Sequence, residues 1–514
     1  MGRDHGGGEI GRKLNGTRRE FLEAGGRGAL ALTLGAQLAL LAGCGADDGG
    51  KVASAINWDS LQKEMKGRVL VPGAKGFEVQ SRPYNGRYAD VVPQGVAVCA
   101  DAEDVQSAIR FAAAENLPVA IRSGGHNYAG YCSGPGLVVN VGSMRAVKVN
   151  DAAGTVVAQP GARNTMVYAG LEPHGVAISA GRCPTVAVGG LVLGGGIGFS
   201  SRKLGLTCDH LVEADIVTAD GELLRCSEKE NADLFWALRG AGGGNFGVCT
   251  RYVFETRPVG DVSIYDVAFR WQDAEKVFAT FQDVIRSAPN EFSARVGVGA
   301  PGQASGKPGE PVISILGQYF GPASELRELL APVLSAGRTT KELIEDRTFW
   351  QAKDYFFDNV PTQSFAVKSV YLDEPLGDKG ISALVDAVES WPGSMNSDGA
   401  GAALFASGGA INEVSSDATA FVHRSQFAVL ATESTWTAQD SDAVVEANLE
   451  WIDDLADALS PHVSSSAYQN FIDRSQPDWQ QAYYGDNFER LTKVKRKYDP
   501  DELFTFEQGI PARV

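Results

Sequence analysis

Three glycine-rich segments could let the backbone approach a phosphate-bearing ligand closely. The first, Arg-Ser-Gly-Gly-His-Asn-Tyr-Ala-Gly at 122–130, follows a short apolar run, and the others lie at 183–198 and 239–247. Glycines directly after a strand expose N–H groups that can bind a pyrophosphate. The segment at 183–198 lacks the spacing and the downstream acid of a Rossmann dinucleotide site. Together the segments predict a large phosphate-bearing cofactor outside a standard NAD site.

Charge and composition exclude other classes of ligand. The 514 residues carry a formal net charge of −17, which disfavours binding to the phosphates of nucleic acid. Seven cysteines form no CxxC pair, and six histidines occur without an HExxH motif. We therefore predict no metal site and no nucleic-acid partner.

Short elements must position these segments. Residues 95–130 are typical of strand, helix and strand, and a unit of this length favours parallel pairing. A hairpin is predicted over 215–226, with Asp220-Gly221 as its turn. Asn231 is expected to cap a helix that runs to about 239, and a strand is predicted over 247–255.

The pattern changes after residue 262, where the glycine clusters become sparse. The length of the chain already favours two domains. Several strands follow one another, which predicts a largely antiparallel sheet with helices on one face. The predicted strands are 263–271, 292–300, 312–320, 366–372, 402–411 and 426–436. The predicted helices are 274–287, 323–334, 379–390 and 439–458.

The first 43 residues are typical of an export signal. Arg18-Arg19 precedes an apolar run over 28–43, which is short for a bilayer core of ~30 Å. The arginine pair resembles a twin-arginine signal, and Leu-Ala-Gly-Cys, ending at Cys44, resembles a bacterial lipobox. We expect an exported lipoprotein whose only membrane contact is a lipid anchor on Cys44.

Five motifs in order resemble the berberine bridge enzyme-like oxidases of the vanillyl-alcohol-oxidase/PCMH-type FAD superfamily. They are RSGGHNYAG, GRCPTVAVGG, GGGIG, DLFWALRGAGGGNFGV and YYGDNFERLTKVKRKYDP. The resemblance implies an α+β fold with a two-lobed PCMH-type FAD-binding domain and an α/β substrate domain. The expected parts are a signal at 1–43, a linker at 44–59, the FAD domain at 60–262, the substrate domain at 263–464 and a C-terminal segment at 465–514 that returns to the FAD domain.

The resemblance also implies FAD held by two covalent links. His126 matches the histidine that bonds the flavin 8α-methyl carbon, and Cys183 matches the cysteine that bonds flavin C6. Val186 matches a position beside flavin C4a, where a small residue admits oxygen. The other expected FAD contacts are Arg122, Ser123, Gly124, Gly125, Asn127, Tyr128, Gly189, Gly190, Gly194, Gly195, Gly196, Gly198, Asn245, Gly247, Val248, Tyr484 and Asn487.

Removal of a hydride from an alcohol carbon requires a base for the hydroxyl proton. Tyr468, in Tyr-Gln-Asn-Phe-Ile-Asp, matches the tyrosine used by sugar and antibiotic oxidases of the family, and Tyr128 is expected to assist. Plant members carry a glutamate before a histidine–arginine pair. Here, anchoring on His423-Arg424 places Ala418 there, and a shift of one residue would place Asp417.

The expected function is an oxidase that uses O2 and a small-molecule alcohol, either a sugar or oligosaccharide or an aromatic or secondary-metabolite alcohol. Two alternatives remain open from the sequence. The first is a flavin dehydrogenase that passes electrons to a membrane carrier. The second is a catalytically silent solute-binding lipoprotein on the same fold.

Overall fold

The computed structural model describes residues 56–357 and 363–513. The predicted signal, its arginine pair and Cys44 lie outside these residues. From Ile56 onward the chain forms one compact unit. Among the described residues, no helix is both long and apolar enough to cross a bilayer.

α-Helices and β-strands are mixed along the whole described chain. In chain order the α-helices are α1 (Trp58–Glu64), α2 (Phe77–Ser81), α3 (Ala102–Ala114), α4 (Asn164–Leu171), α5 (Val188–Leu193), α6 (Ser201–Leu204), α7 (Ala232–Ala237), α8 (Ala274–Ser287), α9 (Ala323–Leu334), α10 (Phe349–Phe356), α11 (Asp378–Glu389), α12 (Asp442–Leu459), α13 (Trp479–Tyr484) and α14 (Phe488–Tyr498).

The strands form two small sheets, one large sheet and one two-stranded pair. They are β1 (Arg68–Leu70), β2 (Gly95–Val98), β3 (Val119–Arg122), β4 (Leu137–Asn140), β5 (Val147–Asn150), β6 (Thr155–Ala158), β7 (Val176–Ala177), β8 (Leu211–Val217), β9 (Leu223–Ser227), β10 (Val248–Glu255), β11 (Arg257–Pro258), β12 (Asp261–Phe269), β13 (Arg295–Ala300), β14 (Val312–Tyr319), β15 (Thr339–Thr348), β16 (Ser364–Leu372), β17 (Ala400–Ala406) and β18 (Ala428–Trp436).

The predicted strand–helix–strand unit is present as β2, α3 and β3. Helix α3 forms because its apolar residues fall on one buried face and because Asp101 caps its first turn, accepting from the Asp104 N–H at 3.1 Å. Strands β2 and β3 both run parallel to β4, which lies between them in the order β1-β2-β4-β3. The parallel direction is confirmed, but the two strands are separated by one position.

The second sheet has the order β5-β6-β10-β8-β9 and is antiparallel. The predicted hairpin is β8–β9, with Gly221 in the left-handed region at φ 75°. Asn231 precedes α7 as predicted, but its amide does not cap the helix. It donates instead to the Arg225 carbonyl at 2.7 Å, because its own backbone is left-handed.

The third sheet has seven strands in the order β15-β12-β14-β13-β17-β18-β16, and every pairing is antiparallel. This confirms the predicted α+β fold with a largely antiparallel sheet. Helices α8, α9, α11 and α12 pack on one face of it around a single apolar core. The sequence missed β15 and α10, since β15 is a charged edge strand with no buried residue in its pattern.

The last segment of the chain is fastened by a buried ammonium group. Lys495 of α14 donates to the carbonyls of Asn245 and Phe504 and to the Asp499 carboxylate, each at 2.6 Å. Lys495 and Asp499 are fully buried, and burial lowers the pKa of Lys495. This one side chain joins the third glycine turn to α14 and to the chain beyond it.

Replacing Lys495 with methionine should lower the free energy of unfolding by about 3–5 kcal/mol, because Asp499 would remain buried without its cation. Denaturant unfolding of the purified protein measures this change. The matched control is Lys493→Met in the same helix, where an exposed pair with Glu489 contributes ~0–1 kcal/mol. Equal losses in the two variants would contradict a structural role for the buried pair.

Candidate functional site

A cavity of about 960 Å³ lies between the glycine-rich segments and the open face of the seven-stranded sheet. Its walls come from residues 123–135, 181–199, 243–252 and 468–474 on one side, and from β13, β17 and β18 on the other. Ligand pockets usually measure about 300–1,000 Å³. The cavity lies at the upper end of this range, as a large cofactor requires.

The Thr185 hydroxyl group lies between the two residues predicted to hold the flavin, His126 and Cys183. Thr185 Oγ1 lies 3.1 Å from His126 Nε2 and 3.6 Å from Cys183 Sγ. All three residues are only partly buried, and His126 and Cys183 line the cavity. Because Thr185 engages Nε2, the other ring nitrogen of His126 is left for a bond elsewhere.

The protein fixes the ring orientation of His126 and keeps its imidazole neutral. The Tyr84 ring stacks on the imidazole with centroids 3.9 Å apart and planes 23° apart. Burial, with the nearby charges of Arg163 and Arg122, lowers the pKa of His126 to about 4. The imidazole therefore keeps a lone pair at neutral pH, which is the form that can act as a nucleophile.

Several glycines form a cradle that a side chain would fill. A Cβ on Gly124 would lie 2.8 Å from the Ala187 nitrogen, and one on Gly189 would lie 2.9 Å from the Pro160 carbonyl. A Cβ on Gly190 would meet nothing within 4 Å, so this backbone faces open space. Arg122 lies behind the wall, where a Cβ on Gly125 would be 2.5 Å from its guanidinium. The cradle thus combines close backbone approach with a positive charge behind it.

The opposite wall carries a carboxyl group that sequence reasoning missed. The side chain of Glu433, on β18, lines the cavity. It is open to the cavity itself but is enclosed by the surrounding protein. Burial raises the pKa of Glu433 to about 7; Arg182 and Arg295 oppose this shift, and Asp398 adds to it. The only signal in the sequence is a lone acid inside an otherwise uncharged predicted strand. Sequence reasoning also missed Thr185, although it lies within the segment Gly-Arg-Cys-Pro-Thr-Val-Ala-Val-Gly-Gly that contains Cys183.

Tyr468 lies at the cavity with its hydroxyl oxygen fixed by two donors. The Gly196 N–H donates to it at 3.0 Å and the Asn470 amide at 3.1 Å. Both bonds favour the phenolate, yet burial dominates and raises the pKa of Tyr468 to about 12. Tyr468 is therefore protonated at neutral pH.

Comparison with known proteins identifies the family. Residues 93–227 match the model of an FAD binding domain, and residues 467–511 match the "Berberine and berberine like" model. The chain is 33% identical over 434 residues to the FAD-linked oxidoreductase YgaK of Bacillus subtilis, covering 83% of this chain and 92% of that protein. This chain belongs to the berberine bridge enzyme-like family of FAD-linked oxidoreductases.

Two further relatives support the assignment. The glucooligosaccharide oxidase of Sarocladium strictum is 30% identical over 471 residues, covering 84% of this chain and 89% of that one. The solved structure of BBE-like 1 from Physcomitrella patens is 29% identical with a TM-score of 0.81, covering 89% of this chain and 100% of that one. The protein is thus an FAD-linked oxidoreductase, and its cofactor is FAD.

The structure brings most residues predicted for this berberine bridge enzyme-like site to one cavity. The predicted residues that line it are Ser123, Gly124, Gly125, His126, Asn127, Tyr128, Cys183, Val186, Gly189, Gly190, Gly198, Gly247 and Tyr468. Cys183 is only partly buried, while the other five described cysteines are buried, and none of the six pairs with another. Cys183 is therefore the thiol that a cavity ligand reaches most openly.

Three of the glycines predicted to contact the cofactor pack against another segment of the protein. Gly194, Gly195 and Gly196 do not line the cavity. A Cβ on Gly194 would lie 2.1 Å from Asn470 Oδ1, and Gly196 donates its N–H to Tyr468. The turn 194–196 is glycine-rich because the segment that carries Tyr468 packs directly on it.

Arg122 and the remaining predicted FAD contacts also lie behind the cavity wall. Asn245 donates to the Ala241 carbonyl and accepts from the Ile510 N–H, and Val248 lies in an apolar core. The Tyr484 hydroxyl donates to the Ala241 carbonyl, and Asn487 donates to the Ser416 carbonyl. The side chains of Asn245, Tyr484 and Asn487 thus bond backbone groups and support the wall from behind.

Asp417 is not part of the site. Its carboxylate is fully exposed and accepts hydrogen bonds from the Ser415 hydroxyl and from its own backbone N–H, and both lower its pKa. The neighbouring backbone turns toward Trp236, whose indole donates to the Asp417 carbonyl at 2.8 Å. Asp417 thus lies at the protein surface and does not line the cavity.

The donor set fits FAD. The neutral imidazole and the accessible thiol meet at Thr185, the glycine cradle approaches a ligand closely, and the Arg122 charge lies behind it. His126 and Cys183 would hold the flavin end, and the cradle at 123–125 and 189–190 would hold the phosphates.

Replacing Gly124 with alanine should reduce bound FAD at least several-fold, because the new methyl group must displace the backbone of Ala187. The ratio of flavin to protein absorbance in the purified protein measures this. The matched control is Gly134→Ala in the same wall, where the Cβ would lie 3.5 Å from Ala120 in ordinary contact. Full FAD loading in the Gly124 variant would show that the cradle does not hold the cofactor.

Proposed function

We propose that this protein is an oxidase with bicovalently bound FAD, which oxidises a ring-bearing alcohol and reduces O2 to H2O2. The observation that carries the proposal is that one cavity places His126, Cys183 and Val186 on one wall and a carboxyl group on the opposite wall. The relationship to a glucooligosaccharide oxidase supports a sugar or oligosaccharide as substrate, with an aromatic alcohol as the second class.

His126 and Cys183 are proposed to hold the flavin. When bound, FAD accepts the hydride from the substrate carbon and passes both electrons to O2. The chain supports the links in two ways: Tyr84 and Thr185 fix the orientation of the imidazole, and the lowered pKa keeps it neutral. Two links allow a wide cavity, because the cofactor needs no tight enclosure to stay in place.

Val186 is proposed to admit oxygen. It lines the cavity three residues after Cys183, and it is half-buried rather than sealed by neighbouring side chains. Its backbone is held by the Asn164 N–H at 2.9 Å, so the short side chain has a fixed direction. A small side chain leaves more room for O2 than leucine would.

Glu433 is proposed to take the hydroxyl proton of the substrate. It is a carboxylate on the wall opposite the flavin-holding residues, and its raised pKa matches the pH at which a general base works well. The Tyr468 hydroxyl, protonated and held by Gly196 and Asn470, is proposed to position the substrate oxygen. Tyr128, on the same wall as His126, packs against Phe365 and Phe471.

We further propose that the protein is exported by the twin-arginine route and anchored through a lipid on Cys44. The proposal rests on Arg18-Arg19, the apolar run and the lipobox-like sequence. Export of an already folded chain suits an enzyme that acquires its cofactor in the cytoplasm. Mass spectrometry of the mature N-terminus, which would begin at a lipidated Cys44, tests this.

The double variant His126→Ala/Cys183→Ala should release all of its flavin in denaturant, whereas each single variant keeps one link. The reason is that each residue supplies one independent bond. Peptide mass spectrometry, with flavin absorbance after denaturation, measures the attachment. Free flavin from the unmutated protein, or bound flavin in the double variant, would refute bicovalent attachment.

Replacing Glu433 with glutamine should lower the rate of flavin reduction about 10²–10⁴-fold. In the unmutated enzyme, the rate should rise with pH until the carboxyl group ionises near pH 7, since only the carboxylate accepts a proton. Asp398→Asn should shift this rise to lower pH, because it removes a negative charge that raises the pKa of Glu433. Anaerobic stopped-flow measurements across pH test both expectations.

The control is Tyr468→Phe, which should keep the pH dependence while it weakens substrate positioning. A rate that loses its rise with pH in Tyr468→Phe and keeps it in Glu433→Gln would assign the base to Tyr468 instead. Peroxide formation in air, followed with the same enzyme, distinguishes an oxidase from a dehydrogenase.

A further inference from the structure

Two arginines approach one aromatic ring in the cavity. The guanidinium carbon of Arg182 lies 5.9 Å from the Phe405 ring centroid, and that of Arg295 lies 5.7 Å from it. Arg295 and Phe405 are direct partners across β13 and β17, so their side chains share the face that lines the cavity. Arg182 reaches the same ring from the opposite wall, next to Cys183.

Arg182 presents its guanidinium group to the cavity without a direct partner in the described chain. Within residues 56–357 and 363–513, its guanidinium makes no ion pair or hydrogen bond, although the side chain is partly buried in the cavity. An arginine fork in an enclosed space is suited to bind a planar anion through two parallel hydrogen bonds. Glu433, on the opposite wall, is close enough for Arg182 to oppose the rise in its pKa, and it is the group proposed to act on the substrate.

The sheet face between Arg295 and Glu433 carries almost no side chains. Successive rows of the cavity face pair Arg295 with Phe405, then Gly297 with Ala403, then Gly299 with Gly401, and Gly401 pairs with Glu433. The middle rows have almost no side chains, which leaves space for a ring. The Arg295 guanidinium extends over the middle row, since a Cβ on Gly297 would lie 3.1 Å from its terminal nitrogens.

These positions set a length for the ligand. The middle row and the Glu433 row are two residues apart along each strand, or ~7 Å at ~3.4 Å per residue. One six-membered ring with its substituents spans this distance. An anionic group on the arginines would thus place the opposite side of the same ring near Glu433.

We propose that the substrate is an acidic ring alcohol, whose carboxylate binds between Arg182 and Arg295 beside Phe405 while its ring lies on the glycine–alanine rows. The proposal rests on the proposed function for the reacting end, and it adds the substrate class. The carboxylate can belong to a uronic-acid sugar or to an aromatic acid. Both present the same planar anion on a ring of the same size.

The test uses the purified holoenzyme and two matched pairs of probes. The sugar pair is methyl β-glucuronide and methyl β-glucoside, and the aromatic pair is benzoate and benzamide. Titration calorimetry gives the Kd of each. We expect at least one carboxylate to bind about tenfold more tightly than its neutral partner, which is the gain of ~1.4 kcal/mol expected for one charge-assisted interaction. The pair that shows the preference identifies the sugar or the aromatic class.

Arg182→Ala should abolish this preference, and Arg182→Lys should keep part of it, because a lysine retains the charge without the planar fork. The control for loss of one positive charge is Arg286→Ala, which removes an exposed arginine of α8 outside the cavity and should keep the full preference. Equal binding of both members in both pairs, no binding of either carboxylate at tens of millimolar, or a preference that survives Arg182→Ala would overturn the proposal. The measurement needs no turnover, so a protein that binds carboxylates without forming peroxide would contradict only the proposed oxidase.

Discussion

A single ammonium group joins helix α14 and the chain just after it to a turn 250 residues earlier, and two segments of the cavity wall lie next to this connection. Lys495 satisfies the carbonyls of Asn245 and Phe504 and the carboxylate of Asp499, all without solvent. Burying a cation is costly unless oxygen atoms surround it, so the three partners have little freedom to move. The third glycine turn, at 239–247, and the chain end at 505–507 both contribute cavity wall near this point. One buried charge thus fixes the position of two adjacent segments of the cavity wall.

The same logic explains why the turn at 194–196 is so rich in glycine. The segment carrying Tyr468 and Asn470 packs on that turn without room for a Cβ, and the Gly196 N–H orients the tyrosine hydroxyl. Tyr468, which is far away in the sequence, therefore reaches the cavity because the turn at 194–196 has no side chains in its way. Close packing of backbone on side chain, more than ligand contact, accounts for these glycines.

Sequence patterns predicted what depends on local chemistry. The strand–helix–strand unit, the β8–β9 hairpin and most strands of the large sheet were visible because apolar spacing and turn residues act over short distances. Strand β15 was missed because an edge strand can be charged on both faces. His126 and Cys183 were found through motifs, whereas Thr185, which brings them together, carried no signal of its own. Glu433, Arg182 and Arg295 meet only through sheet register and loop position, which no local pattern encodes.

The two walls of the cavity come from different parts of the chain. Residues that would hold the cofactor lie at 123–128 and 183–190, whereas Arg295, Phe405 and Glu433 lie on strands of the seven-stranded sheet. A substitution on the sheet face changes what fits beside the cofactor without moving His126 or Cys183. Selection can therefore act on the range of accepted molecules while cofactor maturation is left intact, and related enzymes built on this layout can diversify by altering one wall at a time.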